Sequence, residues 1–368
     1  MPDPVVRDLE LADGTTTPIV IGVGAFEHGA DRIGAWLAGR TVFVLSSPTV
    51  RGLWGHATTA LTRDAARVVE LEVVDGEAAK TVATAETLWR EMLAQGGKRD
   101  SRLLTLGGGS VGDLGGWVAG CFLRGIEYVQ LPTTLLAQVD ASVGGKTGVD
   151  LPGGKNTVGL FHHPAAVLAD TRVLTTLSRD LRRAGLVEVV KMAYLLDPAL
   201  LTRVENDLEA LLEGDVERLA TVVDGAVAAK CSVVVSDPRE GDRRRLLNFG
   251  HTLGHAIEAA LGYSEMQHGD AVGWGLLFAL RLAERRGLGT EVADRLRRLL
   301  DRFDLPPLPE LDPDRLIALM AGDKKAREDG LVWVLPRDLG VGEMVSGIGN
   351  DEVRTELIAF LNDPFASV

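Results

Sequence analysis

The sequence predicts an α/β domain on a largely parallel sheet, followed by a mostly α-helical domain. Three observations carry this expectation. The first half alternates short apolar runs with helical patterns. The second half shows helical apolar spacing almost throughout. At 368 residues the chain is too long for one ordinary core, which predicts two domains, residues 1–172 and 173–368.

In the first half, residues 18–23, 41–45, 68–73, 103–106 and 128–131 read as short apolar strands. Helical patterns at 31–37, 81–94 and 111–119 fall between several of them. From about Asp170 the texture changes. Segments 181–195, 200–212, 216–235, 252–261, 271–286 and 291–303 repeat apolar residues at helical spacing. Residues 331–335 read as a late strand ended by Pro336. A ligand cleft between the two domains is the default expectation.

Composition narrows the function. A net charge of −13 argues against nucleic acid or a membrane surface as partner, so any anionic ligand requires a local cationic pocket. The two cysteines, Cys121 and Cys231, suggest no disulfide framework and fit a reducing cytoplasm. The opening residues lack the basic and apolar regions of a secretory signal, and no uninterrupted apolar run of about 18 residues predicts a membrane span.

The residues at 107–112 satisfy G-x-G-x-x-G between a predicted strand and a predicted helix. That context points to a dinucleotide pyrophosphate on a helix N-terminus and makes the first domain Rossmann-like. Asp113 follows, as a ribose contact or as a helix cap. Residues 142–147 resemble the end of a P-loop, but Asp140 stands where its first glycine would be, so Lys146 is not a Walker lysine. Glu188, His251, His255 and His268 form a candidate metal set. His251 and His255, four apart, share a helix face, and spacing alone favours that pair as ligands. Lys80, Arg124, Lys146, Lys155, Lys191, Lys230, Arg244, Lys324 and Lys325 are candidate cations for a phosphate and a carboxylate. Asn156 and Asn248 are placed to orient hydroxyls.

These motifs, in order, resemble the 3-dehydroquinate synthase family of sugar phosphate cyclases. The likeness starts near Gly76-Glu77-Ala78-Ala79-Lys80. It runs through GGGSVGD, AQVDASVGGKTGV, GGKNTVGLFHHP, AGLVEVVK, LLNFGHTLGHAIE, GYSEMQHGDAV and GDKK. The resemblance implies an NAD-binding α/β domain, a helical domain and Zn²⁺ or Co²⁺ held by Glu188, His251 and His268. It moves His255 from metal ligand to catalytic residue. It implies Glu77, Lys80, Gly109, Ser110, Asp113, Thr133, Thr134 and Lys155 as cofactor contacts. Arg124, Asp140, Lys146, Asn156, Lys191, Lys230, Arg244, Asn248 and Lys325 (preferred to Lys324) are implied on the substrate side.

The implied reaction converts 3-deoxy-D-arabino-heptulosonate 7-phosphate to 3-dehydroquinate and phosphate. It proceeds by NAD-dependent transient oxidation, phosphate elimination, re-reduction and intramolecular aldol closure. A cytoplasmic homodimer is implied as well. The chain departs from the family pattern at three places. Ser46 to Val50 lacks an acidic or amide residue for the adenosine ribose, His268-Gly269-Asp270 replaces His-Gly-Glu, and Lys191-Met192-Ala193 replaces Lys-aromatic-Gly. The alternatives are an aminodehydroquinate synthase, an iron- or zinc-type alcohol or glycerol dehydrogenase, and an inactive binding protein on the same scaffold.

Overall fold

Apolar runs of about six residues bounded by turn residues become strands buried on both faces, and amphipathic runs become the helices that cover them. The computed structural model describes residues 3–263, 265–322 and 331–368. The chain divides into two compact units. Met1–Arg182 with Glu209–Arg239 forms the first, and Arg183–Leu208 with Glu240–Val368 forms the second.

The first unit opens with β1 (Val5–Glu10), β2 (Thr16–Gly22), α1 (Ala25–Leu37), β3 (Thr41–Ser46), α2 (Pro48–Trp54), α3 (Ala57–Leu61) and β4 (Arg67–Glu72). It continues with α4 (Val82–Ala94), β5 (Arg102–Gly107), α5 (Gly109–Cys121), β6 (Tyr128–Pro132), β7 (Lys146–Leu151), β8 (Gly154–Phe161) and β9 (Ala166–Asp170). Seven strands form one sheet in the order β1-β2-β9-β6-β5-β3-β4. Only the β1–β2 pair is antiparallel. The five predicted strands of this half are all present. β1, β9 and the β7–β8 hairpin were not predicted.

Strand order locates the ligand crevice of this unit. β3 leads outward to β4, whereas β5, its other neighbour, leads the opposite way to β6. The order therefore reverses between β3 and β5, and such a switch point opens a crevice beyond the strand C-termini. The glycine run lies there, after β5. Its glycines are a packing requirement: a Cβ on Gly115 would lie 2.3 Å from Thr105 Cγ2, and one on Gly112 2.7 Å from Gln130 Oε1. α5 thus seats directly on β5 and β6, with eight of its thirteen residues buried.

α6 (Arg179–Leu196), α7 (Pro198–Glu213) and α8 (Val216–Ser236) follow. α8 is long and apolar enough to cross a membrane by length and composition. It nevertheless packs on β1 and β2, buries nine residues including Val222, Val227 and Val233, and pairs Asp224 with Arg7 at 2.8 Å. That is the behaviour of a core helix.

The second unit comprises α6 from Arg183 onward with α9 (His251–Ala260), α10 (His268–Glu284), α11 (Thr290–Arg302), α12 (Pro313–Gly322) and α13 (Asn350–Asn362). α10 is the central helix, buried from Gly269 to Ala283. Phe278 meets Trp333 and Phe360 with ring centroids 5.7 and 5.4 Å apart. A hairpin, β10 (Trp333–Asp338) with β11 (Val341–Val345), lies on the unit. Pro336 does not end the predicted strand. It pairs with Gly342 inside β10, where a register shift between Pro336 and Asp338 accommodates a residue with no N–H to donate.

Candidate active site

Each unit carries its own cluster of reactive groups. In the first, the turn after β5 places Gly108 as N-cap and Gly109 and Ser110 in the first turn of α5. The N–H groups of a helix's first turn lack helical acceptors and could hold an anion here. Thr133 donates its N–H to the Gly107 carbonyl at 2.9 Å, and Thr134 packs on Gly108, where a Cβ would approach Thr134 Cγ2 to 3.1 Å. The glycine run and the Pro-Thr-Thr turn are therefore one surface.

Asp113 lies one turn inside α5, so it is not the cap. Its Oδ2 pairs at 2.9 Å with the buried ammonium of Lys80, which also reaches Glu77 Oε1 at 3.3 Å. Burial pushes the Asp113 carboxyl up to about 6, with Lys80 pulling the other way. Burial works against the Lys80 charge, but Asp113 and Glu77 outweigh it and raise the ammonium.

The β7–β8 hairpin brings Lys155 and Asn156 to the same segment. Asp150 donates its N–H to the Lys80 carbonyl at 2.8 Å, and its Oδ1 accepts from the Asn156 N–H at 2.7 Å. Lys146 begins β7 with its side chain exposed. A π-helical turn, Ala137–Ala141, presents Asp140, which pairs with Lys230 of α8. Arg124 is left apart. It lies beyond the C-terminal end of α5, about 20 Å from the glycine turn by helix rise.

In the second unit three helices converge. Glu188 and Lys191, three apart on α6, form a buried ion pair. His251 opens α9 and His268 opens α10. His268 Nε2 lies 3.5 Å, and His251 Nε2 3.8 Å, from Glu188 Oε1. The three ligand atoms are within 4.8 Å of one another. Both imidazoles are oriented from behind. His251 Nδ1 faces the Phe249 carbonyl at 3.2 Å, and His268 Nδ1 faces Glu258 Oε2 at 2.9 Å. Carbonyl and carboxylate oxygens only accept, so both Nδ1 atoms donate and both Nε2 atoms turn to Glu188.

The electrostatics fit a cation at this point. Burial alone would raise the Glu188 carboxyl, but Lys191 and the two imidazoles hold it well below the usual range. Neither Glu188 oxygen accepts a hydrogen bond of ordinary geometry, and both are buried. Burial and Lys191 push His251 well down. Burial opposes the charge on His268 too, yet Glu188 and Glu258 push that imidazole up to about 10. One carboxylate and two imidazoles are donors of the kind that could hold a catalytic zinc ion. His255, the ligand favoured by helical adjacency, falls in a second group with Glu258 and His268. His251, His255 and His268 have ring centroids 5.2 to 5.9 Å apart.

Arg244 is buried in the turn Arg243–Asn248, and Asn248 Nδ2 donates to Glu240 Oε1 at 3.1 Å. Lys325, with Lys324, lies outside the described residues. Sequence reasoning missed Glu258, Glu240 and the Arg183–Asp270 pair at 2.9 Å that ties α6 to the first turn of α10. Glu258 had one available signal, its place seven residues after His251 on the same helix face.

Comparisons with known proteins show the family of the chain. The family model for the 3-dehydroquinate synthase N-terminal region matches residues 70–184, and the one for the C-terminal region matches 185–326. The chain is 43% identical over 325 residues to the 3-dehydroquinate synthase of Geobacter metallireducens, covering 88% of this chain and 89% of that protein. It is 41% identical over 348 residues to that of Symbiobacterium thermophilum, covering 93% and 97%.

The chain belongs to the 3-dehydroquinate synthase family.

Solved structures of sugar phosphate cyclases share the fold of this family member. A 2-deoxy-scyllo-inosose synthase complexed with carbaglucose-6-phosphate, NAD⁺ and Co²⁺ superposes with a TM-score of 0.86 at 27% identity, covering 97% of this chain and 99% of that one. The 2-epi-5-epi-valiolone synthase of Streptomyces hygroscopicus, with NAD⁺ and Zn²⁺ bound, gives 0.86 at 28%, covering 95% and 97%. An iron-containing alcohol dehydrogenase gives 0.69 at 16% over 94% and 98%, a likeness of fold alone.

Proposed function

We propose that this chain is a 3-dehydroquinate synthase, a phosphate-eliminating cyclase acting on 3-deoxy-D-arabino-heptulosonate 7-phosphate. The observation that carries this is identity of 40 to 43% with relatives of that name, over most of both chains. The aminodehydroquinate synthase reading is not favoured, since these relatives carry the other name. The dehydrogenase reading rests on fold likeness only.

NAD is assigned to the first unit, at the glycine turn with Lys80, Asp113, Thr133, Thr134 and Lys155. Zn²⁺ or Co²⁺ is assigned to Glu188, His251 and His268. Bound there, the two supply a reversible hydride acceptor and a Lewis acid for a substrate hydroxyl. The remaining work is done by side chains. The substrate carries a carboxylate and a phosphate in a chain of net charge −13, so local cations must hold it. Lys146, Lys230 and Arg244 are assigned to these anions. Asp140 fixes the Lys230 ammonium, and Glu240 fixes the Asn248 carboxamide. Lys191 keeps the Glu188 carboxylate ionised. His255 is assigned to proton transfer or phosphate contact beside the metal ligands. Asn156, held with its backbone at φ 53, is assigned to a substrate hydroxyl.

The test is phosphate release by the zinc-loaded protein with NAD⁺, comparing the heptulosonate phosphate with its amino analogue. Release from the hydroxy substrate with no net NADH is expected. Release only from the amino substrate would replace the reading. A cytoplasmic homodimer is part of the proposal, and light scattering at the monomer mass would remove the dimer.

A further inference from the structure

The carboxylate behind His268 is not one of the three metal-donor residues, and its placement is costly. Glu258 lies in the last turn of α9, where the helix dipole disfavours negative charge, and its side chain is only 3% exposed. It lies seven residues after His251, so two turns bring both to one face of α9. From that face His251 presents Nε2 toward Glu188, while Glu258 Oε2 meets His268 Nδ1 at 2.9 Å. One helix thus supplies a ligand and the brace of a ligand on the next helix. The two braces differ: His251 is held by the neutral carbonyl of Phe249, His268 by a carboxylate.

We propose that Glu258 is a positioning residue of the metal centre, holding His268 in the Nδ1–H tautomer with Nε2 aimed at the site and strengthening it as a donor. The inference rests on the assignment of Glu188, His251 and His268 as zinc ligands. The carboxylate accepts the Nδ1 hydrogen, so that when a cation takes the place of the Nε2 proton the lone pair there lies in the plane of the ring and is directed at the site beside Glu188. Its negative charge raises the electron density that Nε2 offers to a cation. Glu258 touches neither substrate nor reacting atoms in this role.

The experiment measures zinc dissociation constants by chelator competition on the full-length protein. It adds the visible spectrum of the Co²⁺ form and the ¹⁵N-detected tautomer of His268. Glu258→Leu, similar in volume but without an acceptor, is expected to bind zinc about ten- to a hundredfold more weakly, with a changed Co²⁺ spectrum and mixed tautomers. Glu258→Gln keeps an acceptor oxygen, so it should retain the Nδ1–H tautomer and show an intermediate loss. Wild-type affinity and an unchanged Co²⁺ spectrum in folded Glu258→Leu would overturn the proposal. If that variant does not fold, Glu258→Gln decides in the same way. Wild-type protein that binds no zinc would sink the ligand assignment itself. Tight wild-type binding with unaffected variants would sink only the role of Glu258.

Discussion

Glu188 carries a negative charge inside the second unit, and Lys191 with two imidazoles keeps it there. Glu188→Gln preserves the shape and removes the charge. The variant should lose bound zinc and reduce phosphate release by on the order of 10³ or more, since several kcal/mol of charge stabilisation depend on the ion. Elemental analysis of the purified variant checks this, and full zinc occupancy would contradict the assignment. In the first unit Asp113 makes a pH prediction. Its carboxyl is raised from 3.8 to about 6 in the fold, so its ionised form is disfavoured there. The contribution of this group to stability is therefore fully present below pH 4 and is lost as pH rises through 6. The loss is at most about 3 kcal/mol, reduced because the side chain is 19% exposed. Asp113→Asn should remove that component. Urea unfolding of both proteins at pH 4, 5, 6 and 7 tests it, and parallel profiles would show that Asp113 is not the titrating group.

The elements can meet at the metal cluster because glycines line their contacts. A Cβ on Gly275 of α10 would lie 1.8 Å from the carbonyl oxygen of Gly250, the N-cap of α9. One on Gly269 would lie 1.9 Å from the Ala184 carbonyl oxygen of α6. Backbone cannot move aside as a side-chain end can, so α10 would have to shift bodily. Gly275→Ala should destabilise the protein by about 3 kcal/mol or more and weaken zinc binding, because His251 and His268 open the two helices it drives apart. Gly34→Ala in α1 is the control. Nothing lies within 4 Å of its Cβ, so it should gain roughly 0.4 to 1 kcal/mol. Denaturant midpoints and zinc stoichiometry for both variants decide between them; a well-folded Gly275→Ala with full zinc would refute the packing argument.

At the scale of the whole molecule, the proposed function draws on groups from both units. The first supplies a glycine turn at a strand-order reversal, and the second supplies a carboxylate and two imidazoles. Lys146, exposed at the start of β7, is assigned to the substrate and not to the dinucleotide. Lys146→Ala should therefore lower turnover by about 10² or more while changing NAD affinity little, consistent with loss of a charge-assisted contact. Steady-state kinetics beside NAD titration measures both, and an unchanged rate would move Lys146 off the substrate.

Local rules were enough for much of this protein. Alternating strand and helix patterns, the glycine run after β5 and the ordered family motifs were all legible in the sequence, because each depends on neighbours within a few residues. From spacing alone the metal set was legible only as four candidates, and the family resemblance narrowed it to Glu188, His251 and His268. Helical adjacency favoured His251 with His255, whereas the fold brings Glu188, His251 and His268 together from three helices. β9 and the β7–β8 hairpin went unpredicted, and Pro336 was read as a strand end, because pairing partners decide whether such segments become strands. The residues behind the ligands, Glu258 above all, were also settled by tertiary structure. A carboxylate near a helix end is unremarkable in sequence, and only burial against His268 turns it into a brace. Spacing along the chain specifies which side chains share a face, while the faces that meet are chosen by packing between segments far apart in sequence.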